Sequence, residues 1–185
     1  CDDIRSSVVR LHILANSDSR EDQQLKLMVR DRLLLNAGDI FGEADSIEIA
    51  EANVDANLRK IEEISREVIE ENGSDYEVHA ELTNMYFTTR VYDNITMPAG
   101  YYDALRITIG EAKGQNWWCV LYPPLCLPAA TAQNSPNEEV GTANTHDYFT
   151  NEQSDIIEQS SEYEIKFAVV EVAEKVKNFF KGLFN

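Results

Sequence analysis

Hydrophobic and polar residues alternate along several short stretches of the chain, and a period of two predicts β-strands. The predicted strands are 8–15, 76–83, 86–92, 102–109 and 116–122. In the last strand both faces are apolar, because Trp117, Cys119 and Leu121 alternate with Trp118, Val120 and Tyr122. That pattern is typical of a strand covered on both sides, so it predicts that 116–122 lies at the centre of the sheet.

Between the first two strands, apolar residues recur at helical spacing and predict two helices. Ser17 or Ser19 is placed to cap the first helix, and acidic residues follow in its first turn. The second helix begins between 46 and 53 and ends at Asn72-Gly73. The sum is an α+β fold: one mostly antiparallel sheet of about five strands, the last four in a meander, with two helices packed on a face.

The composition changes after Cys126, which predicts where the folded part ends. Residues 128–161 are rich in small polar and acidic side chains and predict a flexible acidic linker. Residues 162–185 predict a strand followed by an amphipathic helix. We therefore divide the chain into an α+β domain at 1–127, this linker, and the C-terminal segment. Packing on the sheet, insertion into a partner's groove, and peripheral contact with a membrane remain alternatives for the helix.

The chain is strongly acidic, and its charge narrows the classes of partner. Its 185 residues include 33 acidic and 16 basic ones, a net charge of −17. Binding to nucleic acid needs clustered Lys and Arg, so we expect none. No apolar run reaches the roughly 18 residues of a membrane span. The chain begins at Cys1 without a signal peptide; we interpret this as a trimming boundary, with a lipidated N-terminal Cys as the alternative.

The cysteines are the first candidates for chemistry. Cys119 and Cys126 flank a Pro-Pro pair that could fold the chain back, so they are either a disulfide or two buried thiols. The Cys and His residues lack the paired spacing of zinc ligands, and no motif suggests a cofactor, so we expect neither. A Cys119 nucleophile with His12 or His79 as its base is the enzymatic alternative. An apolar strand raises the pKa of a thiol and restricts access to it, so we expect no enzyme.

Three segments carry a resemblance to a known family. They are R-L-H-I-L-A-N-S-D-S at 10–19, L-R-I-T-I-G at 105–110, and G-E-A-K-G-Q-N-W-W-C-V-L-Y-P-P-L-C at 110–126. They resemble the signatures of the stage II sporulation protein R family, and the match runs from about residue 8 to residue 126. A long run with a double Trp and a double Pro is a specific signal.

The resemblance implies a secreted intercellular signalling protein of endospore formation. Such proteins are made in the forespore and exported into the space between the forespore and mother-cell membranes. There they activate a membrane-embedded aspartic protease, which cleaves the precursor of the sporulation sigma factor E. The missing export signal then lies upstream of Cys1.

The residues that match two of the signatures are our candidates for the partner surface. They are Asn16, Ser17, Asp18, Asn116, Trp117 and Trp118. The alternative is that they hold the fold, with 16–18 merely capping a helix. Rival functions are an exported Cys-dependent hydrolase or transpeptidase, and a cell-wall binding module that uses the Trp pair as an exposed aromatic shelf.

Overall fold

The computed structural model describes residues 2–42, 44–92, 95–124, 150 and 153–154. Its described helices are α1 (Asp2–Arg5), α2 (Arg20–Leu35), α3 (Ala37–Phe41), α4 (Ile47–Ala56) and α5 (Leu58–Glu71). Its described strands are β1 (Val9–Leu14), β2 (Val78–Phe87), β3 (Arg90–Tyr92), β4 (Ile95–Met97), β5 (Gly100–Ile109) and β6 (Asn116–Tyr122). Cys126, the predicted strand and helix of 162–185 and nearly all of the predicted acidic linker lie outside the described residues, so those predictions are untested.

The main sheet is mixed rather than a meander. Its strand order is β2-β5-β1-β6, and β1 runs parallel to β5 and antiparallel to β6. The amide of Gly110 donates to the Glu77 carbonyl at 2.9 Å, and the Thr108 hydroxyl lies 3.4 Å from the His79 carbonyl, so β2 and β5 run in opposite directions. The α+β class is confirmed. The predicted meander is wrong, because β1 lies between β5 and β6.

Strand β6 begins and ends as predicted, but among the described strands it is not at the predicted centre of the sheet. It lies at the end of the strand order, whereas β1 is central and has five of its six residues buried. An apolar pattern on both faces reports that side chains are covered above and below the sheet. It does not indicate whether a strand is paired on one side or on both, so it could not distinguish a central strand from one at the end of the strand order.

Each of the two predicted helices is divided in two by an asparagine. The side-chain amide of Asn36 donates to the Arg32 carbonyl at 2.7 Å, and that of Asn57 donates to the Asn53 carbonyl at 2.8 Å. These bonds satisfy carbonyls of the last helical turn and allow the backbone to leave the helix. Asn72 ends α5 with the same contact. The helical periodicity continues across both breaks, so the sequence pattern did not reveal them.

The predicted turn at Asn84 is also wrong, because β2 continues through it to Phe87. The predicted turn at 96–100 is partly taken up by β4 and by the start of β5. β3 and β4 form a separate antiparallel two-stranded sheet.

The described residues fall into two compact units. The smaller contains 2–7, 84–92, 95–102, 150 and 153–154, and in it the rings of Phe87 and Tyr102 meet edge to face at 5.8 Å. The larger contains 8–83 and 103–124, and every candidate site residue that the structure describes belongs to it. In this unit α2 packs against α5 and β1, and α4 also contacts β1. Its core includes Leu11, Ile13, Leu25, Val29, Leu33, Val54, Ile61, Val68, Leu105 and Ile107.

Candidate functional site

The segments that carry the resemblance meet at one end of the main sheet. We call residues 15–19, between β1 and α2, the first loop, and residues 110–115, between β5 and β6, the second loop. Strand β1 pairs with both strands that flank the second loop, since Leu14 is opposite Thr108 on one side and Asn116 on the other. The strand order therefore places the two loops side by side. Together with Asn116 they form what we call the signature surface.

Backbone and side-chain hydrogen bonds join the two loops. Asn16 accepts twice: its side-chain oxygen accepts from the Glu111 amide at 2.9 Å, and its backbone carbonyl accepts from the Lys113 amide at 3.1 Å. The Ala15 carbonyl accepts from the Gly114 amide at 2.9 Å. The second loop thus docks on the first through its backbone, which fixes its shape largely independently of its own side chains.

Further contacts tie the second loop to α2. The Asp18 carboxylate accepts from the Gln115 amide at 2.6 Å. The Lys26 ammonium donates to the Gln115 carbonyl at 2.9 Å and to the side-chain oxygen of Gln23 at 2.6 Å. The amide of Gln23 in turn donates to the Ser17 carbonyl at 2.9 Å. Both backbone groups of Gln115 are therefore bound by side chains from the first loop and α2.

Glycine is required at two positions of the second loop. Gly110 has φ +56°, a conformation that other residues rarely adopt, and a Cβ there would collide with the side-chain oxygen of Asn16. A Cβ on Gly114 would collide with the backbone carbonyl of Ser17. Because a backbone carbonyl cannot swing aside like a flexible side chain, Gly114 sets the distance between the loops.

Asp22 organises the first loop from the first turn of α2. Its carboxylate accepts from the Ser17 hydroxyl at 2.5 Å and from the Asn16 amide at 2.9 Å. The hydrogen bond from Ser17 is the main cause that lowers the pKa of Asp22, and bonds from Asn16, Tyr76 and Ser19 lower it further, against the opposing effect of burial. The Ser19 hydroxyl accepts from the Asp22 amide at 3.1 Å, which confirms the predicted helix cap.

Two buried cations on α2 lie behind the signature surface. Burial lowers the pKa of Lys26, the charge of Arg30 lowers it further, and the charge of Asp18 opposes both. The guanidinium of Arg30 lies 4.1 Å from the centre of the Trp117 ring, which is a cation–π contact. Asp31 pairs with Arg30 at 2.6 Å. The half-buried Trp117 is thus held from α2 and has one ring face covered.

Trp118 points to the opposite face of the sheet, because side chains alternate along β6. Its ring meets that of His12 edge to face at 5.7 Å. Burial lowers the pKa of His12 to about 4, and the charges of Arg106 and Arg10 act in the same direction. His12 is therefore neutral at physiological pH. The two tryptophans cannot form one shelf, which removes the geometric basis for a cell-wall module built on the pair.

Cys119 is disulfide-bonded, so its sulfur is not available as a thiolate nucleophile. Cys119 is opposite Leu11, which places His12 on the other face of the sheet. His79 belongs to β2 at the opposite edge, three strand spacings or about 14 Å away. The structure therefore argues against the Cys–His alternative. Because Cys126 lies outside the described residues, its pairing with Cys119 stays a prediction.

Four of the predicted partner-surface residues come together, namely Asn16, Ser17, Asp18 and Asn116, and some of them are occupied internally. Trp117 and Trp118 point to opposite faces of the sheet and do not share one surface. Asn16 and Ser17 are half-buried and hydrogen-bonded to neighbouring groups, whereas Asp18 and Asn116 are exposed. The rest of the exposed rim is polar and was not predicted from the sequence. Apart from Gly110, it consists of Ser19, Glu111, Lys113 and Gln115.

Sequence reasoning singled out Arg30 as a candidate for an ion pair or a partner contact, but it missed how Asp22 and Lys26 build the site from α2. Asp22, Lys26 and Arg30 recur every four residues along the buried side of that helix. A charged residue repeated beside an apolar stripe is a signal that could have identified them, because charges are rarely buried unless they are paired. Within the described ranges, no group of three or more His, Cys, Asp or Glu side chains could hold a metal ion. None of the described helices is long and apolar enough to cross a membrane.

These features define a mixed α+β domain that presents a polar, internally braced loop surface. Residues 5–134 match the model of the stage II sporulation protein R family, so the chain belongs to this family, as its signatures predicted. It is 41% identical over 124 residues to a Bacillus subtilis (strain 168) protein named "Stage II sporulation protein R". The alignment covers 67% of this chain and 55% of that relative, so the chain spans about half the length of the curated relative it matches. No solved structure matches the chain. The family is one of sporulation proteins.

Proposed function

We propose that this chain is a secreted intercellular signalling protein of sporulation. It activates a membrane-bound aspartic protease, and the activated protease cleaves the sigma-E precursor. Its place of action is the space between the forespore and mother-cell membranes. Family membership supports the sporulation role, and the architecture of the signature surface supports a role in binding.

The observation that carries the proposal is the way the signature surface is built. Asn16 and Glu111 lie 95 positions apart in the sequence, yet their loops are joined by hydrogen bonds into one rigid surface. A surface that is already ordered loses little conformational entropy on binding, so its exposed polar groups are available for recognition. A ligand with such a surface can activate a protease by binding more tightly to its active conformation.

The disulfide-bonded state of Cys119 also agrees with a secreted protein that acts by binding. Disulfides persist in oxidising compartments outside the cytosol, which fits a secreted protein. The chain then needs no chemistry of its own, and its effect on cleavage comes from differential affinity for two states of the protease.

Co-expression of the exported chain with the protease and the sigma-E precursor tests the proposal, with precursor cleavage as the readout. We expect cleavage to depend on this chain. Lys113→Glu and Asn116→Arg should abolish or strongly reduce it, because both residues are exposed on the rim and neither supports the core. Glu63→Gln, an exposed residue of α5, is the matched surface control and should leave cleavage unchanged.

Two results would contradict the proposal. One is cleavage that proceeds equally well without the chain. The other is a loss of cleavage in Cys119→Ser although circular dichroism shows an intact fold, because a binding surface at the loop end does not require that sulfur. Normal cleavage by both rim variants would move the binding surface elsewhere on the chain.

A further inference from the structure

Within the described part of the main sheet, strand β2 is an edge, and a side chain occupies part of that edge. Among the described strands its partner is β5 alone. Because the Glu77 carbonyl bonds the Gly110 amide across the β2–β5 pair, backbone groups of odd-numbered residues face β5. Those of Val78, Ala80 and Leu82 point away from the sheet. Backbone groups that point outward from an edge strand can pair with another extended chain.

The Ala80 amide is bound by a carboxylate from α5. The side chain of Glu62 accepts from it at 2.9 Å, and the same oxygen lies 3.2 Å from Nδ1 of His79. This oxygen stands where the carbonyl of a paired strand would accept the same hydrogen. Glu62 therefore acts as an internal substitute for a partner strand at one position of the edge. Its side chain is 23% exposed, so an incoming chain can reach it.

The charge around this edge selects the kind of chain that can pair there. Glu62 lies against this edge, and Glu77 and Glu81 lie just before β2 and within it. Glu77 and His79 are exposed, and Glu81 is partly exposed and paired with Arg106 at 3.0 Å. A second copy of this chain would bring the same excess of negative charge to the interface, which opposes self-pairing. An extended segment with basic side chains would meet complementary charge.

We propose that the β2 edge is a docking site for an extended basic peptide segment, which adds a strand beside Val78–Leu82 and displaces Glu62 from the Ala80 amide. Backbone hydrogen bonds supply the pairing, and the acidic side chains select Lys or Arg on the exposed face of the incoming strand. Glu62 and Val78–Leu82 are not among the residues of the signature surface. The proposal does not depend on whether the chain activates a protease.

The test uses the full chain, labelled with nitrogen-15, and an acetylated and amidated peptide of about seven residues that alternates lysine and valine. We expect amide shifts concentrated at 78–82, with the largest at Ala80. The same peptide with N-methyl groups on alternate residues keeps its charge but cannot pair along the edge. It should bind at least about tenfold more weakly. A peptide with glutamate in place of lysine should not bind.

Two matched variants separate strand pairing from simple charge attraction. Glu62→Ala removes the internal competitor at the Ala80 amide and should tighten binding about threefold or more. Glu63→Ala removes the same charge from the exposed side of α5 and should weaken binding slightly. Ala80→Pro keeps the β5-facing bonds of β2 and removes only the outward amide, so it should abolish pairing. The N-methylated peptide provides the same test on unaltered protein if that variant fails to fold.

Three outcomes would overturn the proposal. The first is equal affinity for the N-methylated and unmodified peptides, or equal weakening by Glu62→Ala and Glu63→Ala, because charge alone would then explain binding. The second is the absence of shifts at 78–82 at peptide concentrations up to about 1 mM. The third is self-association of the free chain with amide shifts at 78–82, which would make a second copy the occupant.

Discussion

The signature surface and the β2 edge belong to the same compact unit but are held in different ways. At the signature surface, backbone amides of the second loop are bound to the first loop, and Asp22 and Lys26 brace both loops from α2. At the β2 edge, one carboxylate holds the outward-facing Ala80 amide. The first region is fixed by many mutually supporting bonds, whereas in the second the described contacts to the outward side come from one side chain, Glu62, which also lies 3.2 Å from Nδ1 of His79.

This difference separates two ways in which a small protein can offer a binding surface. A braced surface presents the same groups at all times, so substitutions in its interior should alter stability together with recognition. An edge closed by one side chain is stable without a partner and can exchange that contact for another. Substitutions there should change binding while leaving stability nearly unaltered. The predictions below test this contrast.

Gly114→Ala should have the largest effect on stability. The added Cβ collides with the Ser17 carbonyl, so the two loops must move apart and break bonds that join them. We expect a loss of about 2–3 kcal/mol in the free energy of unfolding, measured by urea denaturation. Gly38→Ala is the control, because a Cβ there meets nothing within 4 Å and should not destabilise the chain. Equal stability of the two variants would mean that the loops are loosely joined.

Asp22→Asn should have the second-largest effect on stability. We expect a loss of about 2 kcal/mol in the free energy of unfolding, because the substitution weakens hydrogen bonds to a buried carboxylate. The folded pKa of Asp22 is lowered, so its charged form stabilises the native state. That contribution is complete above the unfolded pKa of about 4 and is lost as pH falls through the lower folded pKa. The variant should therefore show a shallower decline in unfolding free energy below about pH 4 than the natural chain. If the unfolding free energies of the variant and the natural chain fell in parallel below about pH 4, Asp22 would not have this role.

The features that the sequence could predict depend on local patterns, and those that it could not predict depend on contacts between distant segments or on single side-chain bonds. Strand β6 and the Ser19 cap were predicted because each depends on a local pattern of residues. The order of the strands was not, because the parallel pairing of β1 with β5 joins segments far apart in the chain. The helix breaks at Asn36 and Asn57 were missed because a single side-chain bond ends each helix without disturbing its apolar stripe.

The candidate site was predicted only in part, for a related reason. The resemblance identified Asn16–Asp18 and Asn116–Trp118, and β1 does bring these segments together. It could not show that Asn16 and Ser17 are used internally, because that depends on Asp22 and the second loop. The edge contact of Glu62 has no sequence signal, since Glu62 resembles any other acidic residue of α5.

Lys26→Met should have an intermediate effect. Methionine keeps an apolar stem of similar length but removes the donor to the Gln115 carbonyl, so we expect a loss of about 1 kcal/mol in unfolding free energy. Amide hydrogen exchange should accelerate in the second loop and not in α5. Arg32→Met changes a partly exposed cation of the same helix, which pairs with Glu71 and does not touch the second loop, and is the control. A uniform increase in exchange across the chain would indicate general destabilisation instead of a local loss of bracing.

Glu62→Ala should have the smallest effect on stability. It removes a hydrogen bond to an edge amide that water can then reach and a contact with the exposed His79, so we expect a change in unfolding free energy below about 1 kcal/mol. Hydrogen exchange at Ala80 should accelerate while exchange in the loops of the signature surface stays unchanged. A loss as large as that of Asp22→Asn would show that Glu62 is part of the structural framework of α5 and β2. The β2 edge would then be as firmly braced as the signature surface, and an incoming strand could not readily displace Glu62.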